Sequence, residues 1–305
     1  MVSLEQLQRE QDGGRFVRQA SAFRDVIPER PAPGRYHLYV SLACPWAHRI
    51  VLVRAMKRLQ DVLPMTVVDP LRDERGWRFE ADRPDPVNAF TYLAEAYTQT
   101  DPSFRGRVTV PTLYDTEERR VVNNESEDLV RMLDGWSHEG PSLYPAELRD
   151  ELHAVNADVY DRVNNGVYKA GFASTQEAYD DAFDALFAQL DVLEERLSTR
   201  RYLVGDRLTE ADVRLFTTLV RFDALYVTHF GCNRNRISDM PALGGYLRDL
   251  YGHPGWAETV DFDHIKRHYF MTHPSINPTR IVPRGPRLDL DAPHGRDALG
   301  PRTTW

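Results

Sequence analysis

Residues 34–69 read GRYHLYVSLACPWAHRIVLVRAMKRLQDVLPMTVVD. Tyr36–Leu42 is rich in strand formers and alternates weakly, as a short strand does. Cys44-Pro45 follows, and then Ile50, Val51, Leu52, Val53 and Met56 are interleaved with Arg54, Lys57 and Arg58. That spacing predicts an amphipathic helix. Met65–Val68 predicts a second strand. A strand, a helix and a strand in so short a stretch form a β-α-β unit, with parallel strands and a right-handed crossover.

Working outward, residues 1–34 are polar and end in the proline-rich PERPAPG, an arm before the first packed element. Residues 70–83 are charged and irregular, and 87–98 predict a helix. Val108–Tyr114 and Arg120–Val122 predict two strands, joined by the polar turn at 115–119 into an antiparallel hairpin. Pro111 sits inside the first of these, where it cannot donate a ladder hydrogen bond; an edge position or a cis turn accounts for it. Asn123–Ser126 opens a helix through Leu129, Val130 and Leu133. The order β-α-β-α-β-β-α is that of a thioredoxin-like domain. Beyond about residue 146 strand signals fade, and 147–165, 176–198, 209–228 and 240–251 carry helical periodicity. Leu186, Leu190, Leu193 and Leu197 trace one apolar stripe. Thr209-Glu-Ala-Asp212 is a capping-box variant, with Leu208 and Val213 placed for a hydrophobic staple. The expected organisation is an arm at 1–34, a thioredoxin-like α/β domain at 35–140, an all-α domain at 141–275 and a Pro/Gly-rich tail at 276–305.

Cys44 is the residue most apt for chemistry. It stands between a strand and a helix, with Pro45 as the first helical residue, a position that needs no N–H donor. The first-turn N–H groups and the positive end of the helix dipole then favour a thiolate, the form that attacks sulfur. Ala47 occupies the place where a dithiol oxidoreductase carries its second cysteine. A mixed disulfide on Cys44 must therefore be resolved by an external thiol. The other cysteine, Cys232, is far away in sequence and is expected to pack rather than react. Around Cys44, Val110 before Pro111 can offer backbone groups to a peptide-like ligand. Glu125 and Ser126 lie at a helix start, able to meet an ammonium and a carboxylate. Arg107 and Trp77 can add charge and a flat face; Trp77 equally suits a core anchor, and Ser126 a helix cap. Together these residues lean toward recognition of a glutathione-like thiol.

Composition bounds the alternatives. The chain has 305 residues, 42% hydrophobic and 28% charged, enough for two domains with ordinary cores. No apolar run approaches the roughly 18 residues a membrane span needs. The polar start lacks a secretion signal, so a reducing cytoplasm is expected. A formal charge of −8 argues against nucleic-acid binding. His264 and His268 are four apart, with Asp261, Asp263 and His273 nearby, but no glutamate follows the first histidine as in a zinc-protease helix. They are expected to be core or surface histidines, and no metal is required.

The strings GRYHLYVSLACPWAHR, GRVTVP, NNESEDLVRML, VNNGVYKAGFA, LTEADVRLFTTLVRFDALYVTHF, RISDMP, FDHIKRHYF and DLDAPHGRD resemble the glutathionyl-hydroquinone reductases, the Xi class of glutathione transferases. The resemblance runs from about residue 34 to 297. It implies a thioredoxin-like domain followed by a helical one, and a homodimer. It implies Cys44 as nucleophile, with Trp77, Arg107, Val110, Glu125 and Ser126 at the thiol site. It implies Tyr168, Tyr226 and Tyr269 at the hydroquinone site, a status that periodicity alone does not give them. The co-substrate it implies is glutathione, with another small thiol such as mycothiol as the alternative. The rival activity is an Omega-like thiol transferase or dehydroascorbate reductase, also cysteine-based.

Overall fold

A computed structural model describes residues 11–304. Contacts divide them into two compact units. The first comprises Arg18–Pro141 and Thr259–Val282; the second comprises 11–17, Ser142–Glu258 and 283–304.

In the first unit, β3 (Tyr36–Val40), β4 (Met65–Val67), β5 (Thr112–Asp115) and β6 (Arg120–Asn123) form one sheet in the order β4-β3-β5-β6. β3 pairs parallel to β4, as the β-α-β unit requires, and β5 and β6 form the expected antiparallel hairpin. β3 is buried at every position, which explains its weak alternation: it is a central strand with no face left to water. The Pro45–Met56 helix departs from expectation. It is buried on nearly all sides, including Arg49, so it is not the amphipathic helix that its spacing predicts. Just beyond it the buried Lys57 ammonium pairs with Asp134 at 2.8 Å and donates to the carbonyls of Glu139 and Pro141, both at 2.9 Å. These partners make burial of that charge tolerable.

Two boundaries also shift. Val110-Pro111 is cis and β5 begins only at Thr112, so Pro111 stands outside the ladder and costs it no hydrogen bond. The helix expected over 87–98 forms only at Ala94–Thr100. Asp85 is the cause. Its carboxylate takes the N–H groups of Val87, Asn88 and Phe90 and the Tyr39 hydroxyl, winding the chain into a loop instead. The Glu95 carboxylate then accepts from Thr91 and Tyr92 N–H and starts the helix.

The Phe262–Thr272 helix, expected to belong with the preceding helices, instead groups with the sheet. His264, buried on this helix, reaches Ser41 at the end of β3, and His268 reaches the carbonyl of Pro70. These polar contacts are invisible to a hydrophobic pattern.

The second unit is built from the Arg149–Asp158, Gly166–Gly171, Gln176–Thr199, Glu210–Arg221 and Pro241–Tyr251 helices, with a small hairpin of β1 (Gln11–Asp12) and β2 (Arg15–Phe16). The leucine stripe 186-190-193-197 is buried, as its spacing predicts. Leu208 and Val213 are buried on either side of the Thr209 cap. Two helices widen to i→i+5 turns at Val159–Asn164 and Phe222–Tyr226, a deviation that recurs at functional sites. The tail is tied down rather than loose. Arg296, buried, donates to the carbonyls of Leu197, Ala242, Arg200 and Arg201.

Five of the buried histidines are expected to make the fold acid-sensitive. Burial lowers His37, His229, His253 and His264 from 6.5 to about 4, and His268 to about 3. The unfolded chain therefore takes up protons first as pH falls. The stabilisation these histidines provide is complete above about pH 6.5 and drains away toward pH 4 and below. At pH 5 each costs about 2 kcal/mol relative to neutral pH. Urea midpoints measured between pH 7.5 and 4.5 are expected to fall steeply below pH 6.5; a flat profile would contradict this burial.

Candidate active site

Cys44 is the N-cap of the Pro45–Met56 helix, with extended backbone angles and proline in the first turn. It is partly exposed, and Cys232 is fully buried. The turn that delivers Cys44 is tightly specified. The Ser41 carbonyl accepts the Cys44 N–H at 3.1 Å, and the Ser41 hydroxyl accepts the Ala43 N–H at 3.3 Å. The thiol lies 3.3 Å from the Val110 carbonyl, immediately before the cis proline. The expected neighbours Cys44 and Val110 are therefore brought together.

Glu125, not Ser126, caps the Ser126–Gly135 helix, so a capping role for Ser126 is ruled out. The Glu125 carboxylate accepts from Glu127 N–H at 3.1 Å and from the Ser21 hydroxyl at 2.9 Å. Its backbone N–H is held by Asn123 Oδ1 at 2.7 Å. Ser126 is buried, and its hydroxyl accepts from Arg49 Nη1 at 3.3 Å. Arg49 in turn lies 4.5 Å from the ring centre of Trp46, as does Arg18. This helix start gathers a hydroxyl, N–H groups and a guanidinium beside the Glu125 carboxylate, so it offers donors to an anion and an acceptor to an ammonium.

Trp77 is buried and stacks on His268 with ring centres 4.9 Å apart; Arg72 lies over it at 5.1 Å. This is the packing of an anchor. Arg107 is half-exposed in the segment leading to Val110, and its charge adds to the effects that hold His268 neutral. In the second unit, Tyr168 and Tyr226 meet edge to face at 6.2 Å within a cluster that includes Phe16, Phe172 and Phe230. Tyr226 is fully buried and Tyr168 partly exposed. In the first unit, Tyr269 is buried edge-on to His268 and His273. Ser41, Arg49, His264 and His268 escaped the sequence-based expectation as site residues. Only the four-residue spacing of the two histidines draws notice; they are expected to be core or surface residues, and both are buried.

Residues 43–135 match the glutathione S-transferase N-terminal domain family, and 176–249 match its C-terminal domain family. Glutathionyl-hydroquinone reductase YqjG of Escherichia coli is 49% identical, the alignment covering 93% of each chain. Glutathionyl-hydroquinone reductase PcpF of Sphingobium chlorophenolicum is also 49% identical, covering 91% of this chain and 92% of its own. The chain belongs to the Xi-class glutathione transferases, the glutathionyl-hydroquinone reductase family. A Xi-class structure from Natrialba magadii superimposes with a TM-score of 0.89 at 48% identity over 93% of both chains. A glutathione-bound structure of YqjG gives 0.84 over 87% of this chain and 89% of its own. The sheet unit and the helical unit of this Xi-class chain thus have the glutathione-transferase fold. No helix among the described residues is long and apolar enough to cross a membrane.

Proposed function

We propose that this Xi-class chain reduces glutathionyl-hydroquinones to hydroquinones, with Cys44 as nucleophile. The observation that carries the proposal is a lone, partly exposed cysteine capping a helix, with Ala47 where a second thiol would close a disulfide. The identity to two named reductases over more than nine-tenths of the chain supports the substrate class.

In the proposed cycle the Cys44 thiolate attacks the glutathionyl sulfur. A sulfur–sulfur bond forms and the ring carbon–sulfur bond breaks. The electron pair goes to the ring carbon, which takes a proton and leaves as the hydroquinone. Tyr168, Tyr226 and Tyr269 are the proposed donors to the ring oxygens and to that carbon. A second glutathione then attacks the mixed disulfide, leaving as glutathione disulfide and restoring Cys44. The two electrons that reduce the ring carbon thus come from two thiols, and neither metal nor nucleotide is needed for balance. Trp77, Arg107, Val110, Glu125 and Ser126 are proposed to hold the glutathionyl group. We read the working form as a cytoplasmic homodimer.

The decisive experiment omits the second thiol. Enzyme mixed with a glutathionyl-hydroquinone alone is expected to release one equivalent of hydroquinone and to gain one glutathione by mass spectrometry, on the peptide bearing Cys44. Turnover with no adduct at Cys44 would remove the scheme. Parallel assays with a mycothiol conjugate and with small mixed disulfides separate the alternative thiol and the Omega-like activity.

A further inference from the structure

The Phe262–Thr272 helix carries two buried histidines one turn apart; His264 reaches the turn before the thiol, and His268 packs on Pro70 and Trp77. His268 Nδ1 pairs with the Pro70 carbonyl at 2.7 Å, and its ring stacks on Trp77. His264 Nε2 pairs with Ser41 Oγ at 3.2 Å. Ser41 is fully buried and is the hub of the turn before the helix. Its hydroxyl takes the Ala43 N–H, and its carbonyl takes the Cys44 N–H. The hydroxyl is thus shared between the turn and a histidine 223 residues away in sequence.

We propose that His264 is a positioning residue for Cys44, acting through the Ser41 hydroxyl to fix the turn that sets the sulfur at the helix start. The proposal rests on the reading of Cys44 as the nucleophile. Hydrogen bonds at this turn orient the Cys44 backbone, and the effect of a helix start on a sulfur falls off within one turn. A small rotation of the turn therefore changes reactivity more than it changes packing. The contribution is geometric rather than ionic. Burial holds His264 neutral at ordinary pH, its value lowered to about 4.

The test reads the sulfur directly, without the substrate. Cys44 alkylation by iodoacetamide at pH 7 is followed in a Cys232→Ser background, with thermal midpoints recorded for each protein. His264→Leu is expected to slow alkylation about five-fold or more, and Ser41→Ala to do the same. His264→Gln, which can still pair with the hydroxyl, should remain within about two-fold of the parent. A folded His264→Leu that alkylates at the parental rate overturns the proposal. So does a His264→Gln as slow as the leucine variant at an unchanged thermal midpoint. Should His264→Leu fail to fold, His264→Phe, which keeps a ring of similar size but cannot pair with the hydroxyl, decides in the same way. Turnover of a glutathionyl-hydroquinone by the parent is measured alongside. A parent that alkylates normally but turns nothing over overturns the functional reading, while the variant series still decides the role of His264.

Discussion

Cys44→Ser is expected to lower kcat/KM for a glutathionyl-hydroquinone by at least about 10³-fold in a steady-state assay with reduced glutathione. A serine hydroxyl is not ionised near neutral pH and cannot form the sulfur–sulfur bond on which the proposed cycle depends. No other thiol can substitute. Cys232 is fully buried, and burial pushes its thiol up to about 12. Cys232→Ser should accordingly leave turnover within about two-fold of the parent. The pair of variants also separates two chemistries. A conventional transferase activates the sulfur of its bound thiol with a hydroxyl, so Cys44→Ser would retain or raise its conjugating activity. Retained reductase activity in Cys44→Ser would show that the bound thiol, not the enzyme, attacks.

Asp212→Ala should be the most damaging single change to stability away from the thiol. The carboxylate is fully buried and takes four hydrogen bonds: from Leu203 N–H at 2.9 Å, the Tyr246 hydroxyl at 2.7 Å, Thr209 N–H at 2.8 Å and the Thr209 hydroxyl at 3.0 Å. It thereby joins the loop at Leu203, the start of the Glu210–Arg221 helix and the Pro241–Tyr251 helix. Alanine leaves all four donors buried without that acceptor, a loss of about 3–4 kcal/mol. A fall in Tm of roughly 10 °C would accompany it. Asp212→Asn keeps the shape but turns one acceptor into a donor, so it should fall between alanine and the parent. Urea and thermal unfolding of the three proteins check the order. An alanine variant within about 1 kcal/mol of the parent would mean that water replaces the carboxylate without cost.

The carboxylate illustrates what a sequence conveys well. Thr209 and Asp212 are three residues apart, so their reciprocal bond is readable from spacing alone. The same holds for the thiol-bearing turn: strand formers, then Cys-Pro, then an apolar helix. The 186-190-193-197 stripe and the β5-β6 hairpin are legible for the same reason, because each is decided by residues within one or two turns of one another. Local rules failed where a side chain outcompeted them. Asp85 took three backbone N–H groups and erased half of an expected helix. Glu125 rather than Ser126 became the cap because its own carboxylate reaches Glu127 N–H.

Sequence alone therefore determined the order of elements, the candidate nucleophile and the lack of a second cysteine beside it. Only the tertiary structure decided that the Val110 carbonyl faces the thiol, that Trp77 is pressed against His268, and that His264 grips Ser41. Those pairings join residues 66 to 223 positions apart. Periodicity carries no information at that range. Such contacts arise when the sheet and the returning helix are packed, because burial then obliges each polar group to find a partner.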